Sequence, residues 1–213
     1  MRPVNRNLAA LVVAIFLAAS AFAQSNVESI TSTPTASEAI IKAVADHALK
    51  FTASGNTIHL WAAKSVSGDS NGTDGALYPD LPRGAFAGVI QFASEAADFR
   101  GQKIPAGTYT LRYAVLPSDG NHLGVAPSPD FFLLVPVAND SNPDVPIAYP
   151  RLIKSSARAA GTNHPAAFSL ASASKKSQSV NADEKGHLAV TFDLKVNGKT
   201  LPIAMIVVGV AEQ

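Results

Sequence analysis

From Leu188 the chain sets an apolar side chain at every second position, through Val190, Phe192, Leu194 and Val196. After Asn197-Gly198 an apolar run returns from Leu201 to Val210. A period of two belongs to an extended strand with one buried face, because successive side chains point to opposite sides of a sheet. Asn-Gly supplies the positive φ angles of a type I′ turn, so the two runs are predicted to pair as a β-hairpin. A two-stranded hairpin with one apolar face is barely stable in water, so the remaining chain must supply further strands and a layer that covers that face.

It carries the pattern to do so. Ile58, Leu60 and Ala62 alternate with His59 and Trp61, a run from Phe86 to Phe92 follows, and Tyr109, Leu111, Tyr113 and Val115 alternate with Thr110, Arg112 and Ala114. Phe131 to Val137 is apolar at both parities, as in a central strand, and Pro136 should end its regular pairing. Stretches dense in Gly, Pro, Asn, Asp and Ser separate these runs at 65–84, 117–130, 138–150 and 171–186. The expected fold is all-β, an antiparallel β-sandwich of about 7–9 strands. One N-terminal helix is expected with it: Thr35-x-x-Glu38 has capping-box form, and Ile40, Ile41, Val44, Ala45, Ala48 and Leu49 fall on one helical face.

The N-terminus reads as an export signal. Arg2 and Arg6 precede an apolar run from Leu8 to Ala19 and the small-x-small site Ala21-Phe22-Ala23. That run is short for a membrane span, which takes roughly 20 apolar residues, so cleavage after Ala23 is expected, with no membrane span afterwards. The division is then a signal peptide at 1–23, a flexible lead-in rich in Ser and Thr at 24–34, and a single β-sandwich domain at 35–213. The expected compartment is periplasmic or extracellular. Cysteine is absent, which excludes disulfides, thiolate metal sites and cysteine nucleophiles. Without Arg2 and Arg6, the 17 Lys and Arg fall just below the 16 Asp and Glu. So near-neutral a balance gives no electrostatic footprint for nucleic acid.

Several segments carry patterns associated with chemistry. Gly68-Asp69-Ser70-Asn71-Gly72 matches the nucleophile-elbow string, but Asp74, Gly75, Pro79 and Pro82 follow where that turn needs a helix, so it reads as a polar loop. Asp69, Asn71, Thr73 and Asp80 have part of an EF-type calcium spacing, and Asp140-x-Asn142-x-Asp144 repeats its opening. The first has Asp74 where the turn demands glycine and the second Arg151 at the twelfth position, which favours solvated turns; calcium is the ion such loops would take. Asp119, His122, Asp130 and His164 would bind calcium or another divalent metal if the loops of one sandwich end converge.

Ile104-Pro105-Ala106-Gly107-Thr108-Tyr109-Thr110-Leu111 reads as a Pro-Gly turn leading into a strand. It resembles the turn-strand segment of prealbumin-like and carboxypeptidase-regulatory-like β-sandwich modules, and an uncharacterised family of secreted bacterial proteins with an I-P-A-G-x-Y-x-L segment. Asp98 to Gln102, Asp119-Gly120-x-His122-x-Gly124-Val125 and Asp130-Phe131 look like that family too. The resemblance spans about a fifth of the chain and implies a sandwich fold and export, with no activity attached.

Three functions follow as expectations. The first is a binding or interaction module for an unknown small molecule, glycan or protein, carbohydrate or peptide being favoured. Its surface would be a loop end bearing Trp61, Tyr78, Tyr109, Arg112, Tyr113 and His122, where exposed aromatics beside Arg suit stacking. The second is a metal-dependent hydrolase using Asp119, His122, Asp130 and His164. The third is a structural protein of the cell envelope. No complete catalytic set is visible, so the balance leans away from an enzyme.

Overall fold

The computed structural model describes residues 26–68, 75–116, 126–173 and 178–209; the predicted signal peptide at 1–23 lies outside them. The strands among the described residues are β1 (Glu28–Thr31), β2 (His47–Ala53), β3 (Asn56–Ala62), β4 (Phe86–Phe92), β5 (Ala96–Ala97) and β6 (Lys103–Ile104). They continue with β7 (Gly107–Val115), β8 (Asp130–Pro136), β9 (Ala167–Ala171), β10 (Ser179–Ala182), β11 (Leu188–Val196) and β12 (Lys199–Val208). Two α-helices accompany them, α1 (Glu38–Ala43) and α2 (Tyr149–Ala160).

Ten strands form one sheet in the order β1-β2-β3-β4-β7-β8-β9-β12-β11-β10, and β5 pairs with β6 as a separate short hairpin. Neighbouring strands run antiparallel throughout the large sheet. The expected hairpin forms as β11 and β12, with Asn197 at φ 48° and Gly198 at φ 81° in the turn. The sheet is curled into a half-barrel. Its curl brings Val66, just past β3, into a parallel bridge with Val196 at the end of β11. Two bonds hold this contact: Val66 N–H donates to the Lys195 carbonyl at 2.7 Å, and Asn197 N–H donates to the Val66 carbonyl at 3.0 Å.

The all-β, antiparallel expectation therefore holds, with more strands than expected. One sheet that bends round its own apolar face takes the place of two separate facing sheets of 7–9 strands. Phe92 stacks on Phe168 at 5.9 Å, and Phe132 meets Phe192 at 6.3 Å. These rings join strands that are not neighbours in the sheet, so they pack across the inside of the curl. Burying each such side chain contributes on the order of 1.5–3 kcal/mol.

β7 and β8 are covered on both faces. Leu111 and Phe132 face the inner core, while Ala114, Phe131, Leu133 and Val135 form a second core with Leu152 and Ala167. The second core lies under α2, which buries Leu152, Ser156 and Ala159. Ser156 is satisfied there: its Oγ accepts from Ala166 N–H at 3.0 Å and lies 3.2 Å from the Ala166 carbonyl.

Four local expectations change. The N-terminal helix stops at Ala43, and its N-cap is Ser37, whose Oγ accepts from Ile40 N–H at 3.5 Å. Ala48 and Leu49 share a helical face with Ile40 in the sequence, yet they pair with Ile30 and Leu60 in the sheet; sheet packing outweighs a local pattern that short. Glu28–Thr31, within the expected lead-in, is the edge strand β1. Ser179–Ala182, within an expected loop, is the edge strand β10. Finally, α2 begins inside the expected 138–150 loop and had no expected counterpart.

Candidate functional site

β7 carries three of the predicted site residues, Tyr109, Arg112 and Tyr113, and the layer outside it decides what Arg112 does. Thr110, Arg112 and Ala114 point away from the inner core, and all three are buried because the segment from Asp140 to α2 crosses over them. Arg112 Nε donates to Asp140 Oδ2 at 2.7 Å and Nη2 donates to Oδ1 at 2.7 Å. Nη2 also donates to the Asn142 carbonyl at 2.6 Å, and Nη1 donates to the carbonyls of Gly84 at 3.1 Å and Val145 at 3.0 Å. Thr110 Oγ1 donates to Asp140 Oδ2 at 2.5 Å. A guanidinium has five N–H donors, and each of these is engaged within the chain. Its plane also lies over the Phe86 ring, 5.4 Å from the centroid. Arg112 thus clamps the crossing segment to the sheet and has no donor left for a ligand. Asp140, the first position of the second calcium-like spacing, turns inward to this cation instead of outward to an ion.

Asp130 is likewise held by hydrogen bonds from within the chain. Its Oδ1 accepts from Tyr113 Oη at 2.6 Å and Tyr78 N–H at 3.1 Å, and Oδ2 accepts from Leu77 N–H at 2.9 Å. Burial, and then the bond donated to Asp130, push the Tyr113 hydroxyl far above its ordinary pKa and keep it protonated. Tyr78 is raised too, chiefly by burial; its Oη donates to the Ala171 carbonyl at 2.6 Å and accepts from Ala204 N–H at 3.0 Å. These groups tie the start of β8 to the chain before β4, to the end of β9 and to the middle of β12.

The remaining predicted residues separate into three groups. Trp61 is fully buried and its Nε1 donates to the Ser32 carbonyl at 2.8 Å, so it fills the core and anchors the chain after β1. Tyr109 is buried, with its Oη donating to the Pro105 carbonyl at 2.8 Å. An exposed aromatic platform of Trp61, Tyr109, Arg112 and Tyr113 therefore does not form. Asp119 and His122 lie outside the described residues. His164 is exposed in the turn after α2, where its backbone N–H donates to Thr162 Oγ1 at 3.1 Å. Among the described residues no group of three His, Asp or Glu side chains is placed to hold a metal ion.

The outer face of α2 is where unused polar capacity collects. Pro150, Ile153, Ala157 and Gly161 line the floor of a shallow, open groove of about 500 Å³ that Lys154, Arg158, Thr162 and Asn163 border. The groove's end is fixed in place. Thr162 Oγ1 donates to Gln102 Oε1 at 2.6 Å, and Gln102 Nε2 donates to the Pro165 carbonyl at 3.0 Å and to Asp98 Oδ2 at 2.8 Å. Buried Asp98 also accepts from Ala167 N–H at 3.1 Å, locking the β5–β6 hairpin against the start of β9.

The charges here break local helix rules. Arg151, Lys154 and Arg158 are exposed and form no ion pair among the described residues, whereas Lys42, Lys50, Lys64 and Lys103 each do. The first turn of α2 has no acidic residue and no side-chain cap. Arg151 therefore sits at the positive end of the helix dipole with no acidic residue in that turn to offset it, and Lys154 and Arg158 repel at i, i+4 spacing. Only Arg158, in the last turn, complements the dipole. No Asp or Glu stands between Asp144 and Asp183. That acid-free run was the sequence signal for this face, hidden by a near-neutral total charge.

Compared with family models, with curated proteins and with solved structures, the chain matches none. Its antiparallel β-rich architecture is compatible with a β-sandwich-like module. No helix among the described residues is long and apolar enough to cross a membrane.

Proposed function

We propose that the chain is an exported binding module, without a catalytic set of its own, that receives a peptide segment on the outer face of α2. The observation that carries this is the groove from Pro150 to Asn163: an apolar floor bordered by cations that no acidic group answers among the described residues. Of the two ligand classes expected from the sequence, peptide is favoured over carbohydrate, because the groove's lining contains no aromatic ring for a sugar to stack on. The buried ionisable groups support binding over catalysis. Arg112, Asp140, Asp98 and Asp130 spend their hydrogen bonds on the fold, and Asp130 in particular has its carboxylate occupied by three donors. Export rests on the N-terminal signal, and kinship with secreted β-sandwich modules rests on the Ile104 to Leu111 segment; both belong to this proposal.

Peptides selected against the purified mature chain by display test the reading. Amide shifts on binding are expected to concentrate between 150 and 163. Selected peptides whose shifts map elsewhere, or no selectable binder, would refute it. Amino-terminal sequencing of the protein recovered from outside the cytoplasm checks export, with Gln24 as the expected first residue.

A further inference from the structure

We infer that the α2 groove is built for an acidic partner segment, an extended chain in which carboxylates alternate with small or medium apolar side chains. The inference rests on the binding-module reading and adds the chemistry of its partner. Three observations carry it.

The first is the division of the helix surface into two rows. Pro150, Ile153, Ala157 and Gly161 follow one ridge, Ile153 being partly buried against the second core, and Lys154 and Arg158 border it on the adjacent one, with Arg151 next to them on the helix but outside the groove's lining. A partner that is only apolar leaves the cations bare, and one that is only charged leaves the floor exposed to water. An alternating segment meets both rows.

The second is spacing. At 1.5 Å of rise per residue, Arg151, Lys154 and Arg158 sit about 4.5 and about 6 Å apart along the axis. Alternate side chains of an extended strand repeat every ~6.6–6.8 Å, within reach of long, flexible Lys and Arg side chains.

The third is the cost the helix carries alone. A cation in the first turn and a like-charged i, i+4 pair each destabilise α2, and no ion pair among the described residues offsets them. Local rules broken without compensation mark functional surfaces. A carboxylate chain relieves both repulsions on docking. Asn163, exposed at the groove's end and without a hydrogen bond among the described residues, offers an amide to the partner's backbone.

Fluorescence anisotropy of a short labelled peptide alternating Glu with Val, and of its counterpart with Gln for Glu, tests the inference on the mature full chain. The Glu peptide is expected to bind about tenfold more tightly than the Gln peptide, and its affinity to fall with added salt. Lys154→Glu with Arg158→Glu is expected to remove this preference. Lys195→Glu with Lys199→Glu, the same charge change on the exposed β11–β12 hairpin, is expected to leave it intact. All four side chains are exposed, so overlaying melting curves confirm that the variants fold. Equal binding of both peptides, lost on Ile153→Asp, overturns the acidic assignment while the binding module stands. Sedimentation with phosphatidylglycerol vesicles that depends on Lys154 and Arg158, with no peptide bound, overturns it in favour of a membrane surface. Binding of neither peptide nor vesicle overturns both the inference and the groove as the working surface.

Discussion

Arg112 and Asp140 meet side-on through two bonds of 2.7 Å, with 0 % and 3 % of their side chains exposed. The pair fastens the segment leading into α2 across the outer face of β7. Leaving one member unpaired in the interior is costly, about 3–5 kcal/mol for a buried pair. Asp140→Ala is therefore expected to lower the unfolding free energy from urea denaturation by that amount, shifting the midpoint down, and to open the chain between Asn142 and Val145 to protease. An unchanged midpoint would show that the pair contributes nothing to the fold.

Gly84 lies under the same segment. Its carbonyl accepts from Arg112 and from Ile147 N–H at 3.1 Å, its φ is +76°, and a Cβ there would run into the Ile147 backbone. Gly55 has the same φ of +76° with open space around it. Gly55→Ala is expected to cost about 1 kcal/mol, the penalty of left-handed backbone alone, and Gly84→Ala about 2 kcal/mol or more. Equal losses in paired denaturation curves would rule out close packing of this segment on Gly84.

Tyr113 and Asp130 set the alkaline limit. Burial raises Tyr78, Tyr109 and Tyr113 alike, and Tyr113 most of all. In the unfolded chain a tyrosine gives up its proton near pH 10, while the folded chain holds it. The stabilising contribution is therefore complete below about pH 10 and declines as pH rises past it, by up to about 1.4 kcal/mol per pH unit for each tyrosine. Tyr113→Phe is expected to flatten that decline in stability measured from pH 9 to 11. An unaltered slope would show that Tyr113 is not held protonated by the fold.

His59, on β3, packs edge-on to Trp61 at 5.7 Å. Burial and then the Lys50 charge lower its pKa below the ordinary value of 6.5. An NMR titration should place its midpoint below that of a model peptide, and Lys50→Met should move it up. Because the unfolded ring takes up a proton first, the contribution of His59 to stability is complete above about pH 6.5 and falls as the solution becomes more acid. A midpoint unmoved by Lys50→Met would leave burial as the whole cause.

The elements with a clear period of two were legible in the sequence. The β11–β12 hairpin follows from alternation and Asn197-Gly198, and Phe131 to Pro136 is a strand buried on both faces, as its two-sided apolar run implies. Helix α2 was not legible, because its buried face is Leu152, Ser156 and Ala159, too small and mixed to mark a stripe. Pro150 near its start and Gly161 at its C-cap, with φ 64°, were the available signs.

The candidate site divides in the same way. Alternation sent Arg112, Trp61 and Tyr113 to definite sides of their strands, and that much the sequence determined, together with the all-β class and a core that must hold without disulfides. Whether a given side meets water or another layer is a long-range matter. The outward side of β7 is buried because a segment about 30 residues later crosses it, and Trp61 is buried because the chain after β1 returns to it. Periodicity reports parity along one strand; only the tertiary structure decides which parity is covered, since covering is done by residues distant in the chain. The three cations of α2 became a surface for the same reason, once packing had turned Leu152, Ser156 and Ala159 inward and left Arg151, Lys154 and Arg158 outside.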